Sequence, residues 1–389
     1  MRELVLLANA RLPSERAQSL QVLQAAASFA RAGLGTTLLH ARRREGPRLP
    51  PGVGLAEHYG LPAGPRPEVV AVPCTDWIDL VPRALQYLPA RLQELSFSRN
   101  AAAWVRRERP RAWVLSREAE AARHLARAGQ PGLFLELHRV PGGATRRRWL
   151  LEAASAARGV VAISGGVAED LVGLGVPREK LTVAHDAFEP ARFAGAPGRD
   201  AARRELGLGA GPLVVYTGGL LEWKGVEVLV DAARELPEVR FAIAGGMPAD
   251  VERVRARARG LDNVRLDGFQ EPGRVPLYLA AADVLAVPNR SRPAISARYT
   301  SPLKAFEAMA AGVCVVASDL PSLREVFTHG RDAWLVAPDD PRALAAGLRA
   351  VLADDALRAR LAAALAARAA QHTWDARAAR LVAWMEERA

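Results

Sequence analysis

Lysine is almost missing from this 389-residue chain: of 53 basic residues 50 are arginine, leaving Lys180, Lys224 and Lys304. Where arginine is the default cation, a retained lysine marks a place that needs a compact point charge rather than a planar fork. Cysteine is as scarce. Cys74 and Cys314 make no CxxC pair, which excludes a disulfide framework and a zinc site; both thiols are expected as small buried groups in a reducing cytosol. No apolar run approaches the roughly 18 residues of a membrane-spanning helix, and Leu4–Ala8 is too short for a secretory signal. Aromatics make up 6% of the chain and do not interleave with arginine, so no base-stacking platform is expected and nucleic acid is not the expected partner.

What is present is the composition of a globular protein, 50% apolar and 24% charged, in a length that suggests two domains. The net charge of +11 is one-sided. Residues 1–190 hold 26 Arg+Lys against 18 Asp+Glu (+8), and residues 191–389 hold 27 against 24 (+3). An excess confined to the first half, with runs such as Arg42-Arg43-Arg44 and Arg146-Arg147-Arg148, points to an anionic surface or ligand, and anionic membrane lipid is the candidate surface.

Apolar strand-like runs alternate with helical patterns. Leu4–Ala8, Thr36–His40, Val69–Val72, Trp113–Ser116, Leu133–Leu137, Gly159–Ile163 and Leu181–Ala184 read as strands, with helices over 19–32, 118–128, 145–157 and 167–174. The pattern restarts with strands Leu213–Thr217, Arg240–Ala244, Val264–Leu266, Val284–Val287 and Val313–Ala317, and helices over 226–235, 249–258, 275–281 and 302–311. From Pro341 the chain reads as almost wholly helical. Such alternation predicts an α/β protein of two doubly wound parallel-sheet domains, 1–190 and 191–373, with Phe188–Gly211 as linker. The ligand site is then expected at the carboxyl ends of the strands, in the cleft between domains.

Three segments carry chemistry. In Tyr216-Thr217-Gly218-Gly219-Leu220-Leu221-Glu222-Trp223-Lys224-Gly225, two glycines after a strand allow close backbone approach, and Lys224 can reach an anion near the next helix; the GxxxxGK[ST] spacing is absent. In Tyr299-Thr300-Ser301-Pro302-Leu303-Lys304-Ala305-Phe306-Glu307, Ser301 fits an N-cap and Pro302 the first helical position, leaving the amides of Leu303 and Lys304 free for a phosphate. Glu307, three residues on, can share that ligand and accept two ribose hydroxyls. Phe134-Leu135-Glu136-Leu137-His138 ends a strand in a histidine. Taken singly, each also reads as ordinary structure: a tight turn, a capped helix, a structural histidine. Ala162-Ile163-Ser164-Gly165-Gly166 imitates a hydrolase nucleophile elbow, but Ser164 as a helix cap is the simpler account. Leu206-Gly207-Leu208-Gly209-Ala210-Gly211 imitates a dinucleotide fingerprint yet precedes its strand, so it reads as a loop.

Together with Ala8–Arg16, Gly159–Ser164, Val183–Phe188 and Thr373–Arg377, these segments resemble the family-four (group 1) retaining glycosyltransferases of the GT-B fold over nearly the whole chain. The resemblance implies that Gly218, Gly219, Lys224, Ser301, Pro302, Leu303 and Lys304 bind the donor phosphates, Glu307 the ribose, and Gly268, Phe269 and Gln270 the base. Tyr299, Thr300 and His138 would lie by the sugar, with His138, Lys224 and Glu307 as the catalytic set. Asn9, Arg11, Ser19 and Arg117 would face the acceptor, and the last helix, 374–389, would cross back onto the N-terminal domain. The family's Gly-Arg before its lysine is here Gly218-Gly219, and its first paired glutamate is here Tyr299.

The implied activity is transfer of a hexose from a nucleotide-diphosphate sugar, GDP-mannose or UDP-glucose, to a glycan, lipid-linked or small-molecule acceptor in the interdomain cleft, with retention. No DxD triplet is present, so no cofactor or obligatory metal is expected. The expected location is cytoplasmic, peripheral on the membrane through the N-terminal domain. The alternatives are a catalytically impaired homologue, a nucleotide-sugar epimerase, a serine hydrolase and a nucleic-acid-binding protein.

Overall fold

The strand–helix alternation resolves into two wholly parallel sheets in a computed structural model. It describes every residue except Met1, Glu15, Glu45, Pro47, Arg48 and Pro50; Glu15 of the opening stretch thus lies outside the described residues. The first sheet comprises β1 (Glu3–Ala8), β2 (Gly35–Arg42), β3 (Glu68–Pro73), β4 (Trp113–Ser116), β5 (Gly132–Leu137), β6 (Gly159–Ala162) and β7 (Leu181–Val183), ordered β3-β2-β1-β4-β5-β6-β7. The second comprises β8 (Leu213–Thr217), β9 (Arg240–Ala244), β10 (Val264–Gly268), β11 (Val284–Val287), β12 (Cys314–Ser318) and β13 (Trp334–Val336), ordered β10-β9-β8-β11-β12-β13. The central strands are continuous apolar runs because both sheet faces are covered by helices: β4, β8, β11 and β12 are buried at every residue. Strand order reverses between β1 and β4, and again between β8 and β11. At such a switch point the connections leave in opposite directions and open a crevice at the carboxyl ends.

The chain divides into two compact units, Met1–His185 with Trp374–Ala389, and Asp186–Thr373. The boundary falls slightly before the 190/191 expected. Helix Trp374–Glu386 belongs to the first unit: Trp384 packs on Phe134 with ring centroids 5.9 Å apart, and its ring fills the space beside Gly159 that a Cβ would need.

Three expectations needed correction. The Phe188–Gly211 stretch is not a linker; it contains helix Arg199–Leu206, which buries Ala202 and Leu206, and a short turn, Pro190–Arg192. The longest helix among the described residues, Tyr87–Glu108, has no counterpart in the sequence pattern because it lacks a continuous apolar stripe: its buried set mixes Gln93 and Ser98 with Phe97, Ala101, Ala102 and Val105. Of the two thiols, Cys314 is buried and Cys74 only partly so. Among the described residues, no helix is long and apolar enough to cross a membrane.

Candidate functional site

In the second unit the switch point is built from backbone that tolerates no side chain. A Cβ on Gly245 would lie 2.2 Å from the Gly218 carbonyl oxygen, and one on Gly225 would lie 1.8 Å from that of Pro288. Both glycines have positive φ (125° and 71°), a region L side chains rarely adopt. These contacts bring the loops after β8, β9 and β11 together. Gly225→Ala should therefore cost about 1–3 kcal/mol or more and lower the melting temperature by several degrees. Gly219→Ala, at a site with no atom within 4 Å, should leave the melt unchanged.

On this scaffold Tyr216 donates its hydroxyl to the Gly219 carbonyl at 2.7 Å, and its ring carries Lys304 Nζ 3.6 Å above its centroid. Lys304 is 6% exposed, and its ammonium has no hydrogen-bond partner. Burial, then the charge of Lys224, push its pKa well below the usual 10.5, while Glu307 opposes the shift. Lys224 is half-buried in the turn Glu222–Lys224, its pKa also lowered by desolvation and partly restored by Glu307. The turn is fixed because the Trp223 carbonyl accepts from the Arg290 amide at 2.9 Å and the Ser296 hydroxyl at 3.0 Å. Two mutually repelling lysines beside the open backbone of Gly218 and Gly219 concentrate positive charge of the kind an anion would neutralise.

Helix Leu303–Ala311 begins one residue later than expected, with Pro302 in the cap position. The Leu303 and Lys304 amides still have no intrahelical acceptor. Ser301 is not the side-chain cap; its hydroxyl accepts from the Asp186 amide at 2.8 Å. Thr300 donates to the Ile295 carbonyl at 2.5 Å, closing the π-helical turn Ile295–Tyr299 that ends in Tyr299. Gly268 ends β10 and accepts at its carbonyl from the Gly245 amide; Phe269 is 42% exposed, and Gln270 donates to the Asp267 carbonyl. Glu307 is buried against Arg192, which donates to its Oε1 at 3.0 Å and to the Pro272 carbonyl at 2.6 Å. Sequence reasoning missed Arg192 because it lies in the supposed linker.

In the first unit the half-buried His138 follows β5 directly and meets the buried side chains of Glu136 and Arg117. Its Nε2 lies 2.9 Å from Glu136 Oε1 and 2.6 Å from Arg117 Nη2, which is also 3.1 Å from Nδ1. Burial and Arg117 lower its pKa to about 4 against the opposing pull of Glu136, so the imidazole is neutral at physiological pH. Arg377, from the last helix, donates to Glu136 Oε2 at 2.8 Å and to the His185 carbonyl at 2.8 Å. At the β1/β4 switch point, Asn9 exchanges two side-chain hydrogen bonds with Gln93, and its amide donates to Glu118 Oε1 at 2.9 Å. Burial, helped by Glu94 and Glu120, raises Glu118 to about 7; no sequence motif marked it. Ser19 is fully buried and donates to the Arg11 carbonyl at 2.7 Å, so it shapes the loop and is not a contact surface. Ser164 caps helix Gly165–Gly173 through the Val167 amide, as a structural serine does. Among the described residues no three His, Cys, Asp or Glu side chains converge as metal ligands.

Residues 211–354 match the family described as Glycosyl transferases group 1. Over that stretch the chain is similar to a group 1 glycosyltransferase domain. The D-inositol 3-phosphate glycosyltransferase of Xylanimonas cellulosilytica is 36% identical over 242 residues, 59% of this chain and 56% of that protein. The phosphatidyl-myo-inositol mannosyltransferase of Mycobacterium tuberculosis is 35% identical over 167 residues, 41% and 42% of the respective chains. The chain spans about half the length of these curated relatives. Among solved structures, the sucrose-phosphate synthase of Thermosynechococcus elongatus superposes with a TM-score of 0.77 at 20% identity, covering 100% of this chain and 99% of that one. Anabaena HepE in complex with UDP does so with a TM-score of 0.75 at 18% identity, covering both chains fully. The fold of the chain is therefore GT-B: two Rossmann-like units, each a parallel sheet with a switch point.

Proposed function

We propose that the protein is a retaining hexosyltransferase that takes its sugar from a nucleotide diphosphate, GDP-mannose or UDP-glucose, and gives it to a hydroxyl of a glycan, lipid-linked or small-molecule acceptor. The observation that carries this reading is the buried, unpartnered Lys304 ammonium beside Lys224 and the Gly218–Gly219 backbone, within the stretch similar to a group 1 glycosyltransferase domain. Solved HepE binds UDP-glucose, and the curated relatives are named for glycosyl and mannosyl transfer, which supports the donor class.

In this reading the diphosphate lies against Gly218, Gly219 and the Leu303 and Lys304 amides, and Lys224 and Lys304 stabilise the charge that develops as the sugar–phosphate bond breaks. The free oxygen of Glu307 holds the ribose, Arg192 fixes the other, and Phe269 offers its exposed ring to the base. His138, neutral, can hydrogen-bond a hydroxyl and does not act as an acid. The acceptor oxygen attacks the anomeric carbon on the face the diphosphate leaves, and its proton passes to the departing phosphate oxygen. Lysines and amides supply the positive charge, so no metal is required. Tyr299, in place of a carboxylate, favours one second reading, an impaired homologue that binds donor without transferring.

Thermal unfolding with GDP, UDP, ADP and dTDP tests the donor site. A nucleotide at about 100 times its dissociation constant adds about 2.7 kcal/mol, a shift of several degrees. One nucleotide should produce that shift in the wild type and lose it in Glu307→Ala. No shift with any nucleotide, in a folded protein, would overturn the proposal; a shift without turnover of any sugar donor would select the impaired homologue.

A further inference from the structure

In the second unit, buried polar side chains are left without partners in one place. Among the described residues of that unit, five side chains enclose a nitrogen or oxygen that makes no hydrogen bond: Thr217, Glu227, Arg253, Asn289 and Lys304. Glu227 and Arg253 form an ion pair with each other. The three that remain all lie at the β8/β11 switch point. Thr217 is the last residue of β8, Asn289 follows β11 by two residues, and Lys304 sits in the first turn of helix Leu303–Ala311.

The packing explains why they share that place. Leu213 and Val215 of β8, Leu285 and Val287 of β11, and Ala305 and Phe306 of the helix belong to one apolar cluster. Side chains alternate along a strand, so Thr217 continues the row of Leu213 and Val215 on the face that this helix covers. Lys304 reaches the same end of the strand: its Nζ lies 3.8 Å from where a Cβ on Gly218 would stand. The loop that carries Asn289 is fixed against the Lys224 turn, because the Pro288 carbonyl abuts Gly225 and the Arg290 amide donates to the Trp223 carbonyl.

Unpaired groups this deep cost the folded chain free energy that a bound partner returns. Asn289 is 2% exposed and Thr217 3%. The Lys304 ammonium and the Thr217 hydroxyl can donate, as phosphate oxygens require. The enclosed atom of Asn289 is different: it is Oδ1, which only accepts. Neither Lys304 nor Thr217 is bonded to it, and an ionised diphosphate has no proton to offer. A sugar hydroxyl has one.

We propose that, in the donor site on whose existence this reading rests, Asn289 selects the transferred sugar: its Oδ1 accepts a hydrogen bond from a hydroxyl of the hexose, while the Thr217 hydroxyl donates to a phosphate oxygen beside Lys304. A buried acceptor discriminates between epimers, because a sugar whose hydroxyl points elsewhere leaves Oδ1 unpaired and desolvated.

The test is calorimetric titration of the full-length protein with UDP, UDP-glucose, UDP-galactose, GDP, GDP-mannose and GDP-glucose. The quantity read is the dissociation constant of the best-bound nucleotide sugar divided by that of its own diphosphate. Asn289→Leu should raise this ratio about tenfold or more, with diphosphate affinity held within about twofold and the melting temperature not lowered. Asn289→Ala, which adds no bulk, should repeat the result. Asn289→Asp keeps an acceptor and should preserve the ratio, although its charge weakens both ligands. Thr217→Val should weaken diphosphate and nucleotide sugar alike, by about tenfold, and leave the ratio unchanged; wild-type affinities in that variant would remove the threonine from the site. A ratio unaltered in either Asn289→Leu or Asn289→Ala, while the wild type binds a diphosphate, overturns the role of Asn289 and leaves the donor site standing. So does an equal loss of both ligands, which would make Asn289 a support of the Lys224 turn. A folded wild type that binds none of the diphosphates overturns the donor site, and the selection of sugar by Asn289 with it.

Discussion

Lys304→Met should give a protein that melts at a higher temperature and transfers sugar 100- to 1,000-fold more slowly in kcat/KM. The side chain is buried, rests on the Tyr216 ring and has no hydrogen-bond acceptor, while Lys224 repels it. A charge held there costs the folded state free energy that the unfolded chain avoids, and a methionine of similar length fills the same space without it. A gain of about 1–3 kcal/mol is the expected order. In the proposed donor complex the diphosphate gives the same ammonium an acceptor. Removing a donor aimed at developing negative charge costs about two to three orders of magnitude in rate.

The sign with pH follows from the direction of the shift. The folded-state pKa of Lys304 lies below the usual 10.5, so between the two values the unfolded chain binds more protons and stability rises with pH. Wild type should gain stability through that window, and Lys304→Met should lack the gain. Donor binding restores the ammonium, so nucleotide affinity should weaken as pH rises through the free-state pKa. Calorimetry across pH 7 to 10 with and without nucleotide, beside kcat/KM, checks all three; a variant that melts lower than wild type would remove the argument.

The residues of the proposed donor site could be grouped from the sequence because they are local. Gly218, Gly219 and Lys224 occupy one strand-to-helix turn, and Ser301 to Glu307 one helix start, so spacing alone groups them. The lysines stood out because arginine is used nearly everywhere else. What was not legible came from contacts distant in sequence. Arg192 meets Glu307 across 115 residues, and its neighbours read as linker because glycine, proline and alanine hide an eight-residue helix, Arg199–Leu206. Ser301 looked like a cap; only tertiary structure shows its hydroxyl turned to Asp186. Helix Tyr87–Glu108 shows no periodic apolar stripe because its start exposes Tyr87, Leu88 and Leu92 while its buried face mixes Gln93 and Ser98 with Phe97, Ala101, Ala102 and Val105. Glu118 carries no motif; its raised pKa arises from burial and from charges contributed by separate helices.

Arg377→Ala should be the most destabilising single change in the first unit. Arg377 is 2% exposed and holds Glu136, the His185 carbonyl and, at 3.3 Å, the Ala184 carbonyl. Burial alone would raise the Glu136 pKa; Arg377, the His138 hydrogen bond and Arg117 outweigh it and hold the carboxyl well below the usual 4.5. Deleting one partner of such a pair strands the other charge and costs about 3–5 kcal/mol, on the order of 10 °C for a unit of this size. Arg377→Lys, which keeps the charge but not the fork, should fall between. Because the Glu136 pKa is depressed, its contribution is present above the usual 4.5 and is lost as pH falls through the folded value. His138, depressed from 6.5 to about 4, adds a second loss across that interval, since the unfolded histidine takes up a proton there and the folded one does not. Arg377 also lowers His138 through its charge, which separates its electrostatic role from packing. In Arg377→Ala the His138 titration followed by NMR should move up from about 4 toward 6.5, with acid unfolding beginning at higher pH. A variant that loses stability while His138 titrates unchanged would make Arg377 a packing residue and leave the setting of His138 to Glu136 and Arg117.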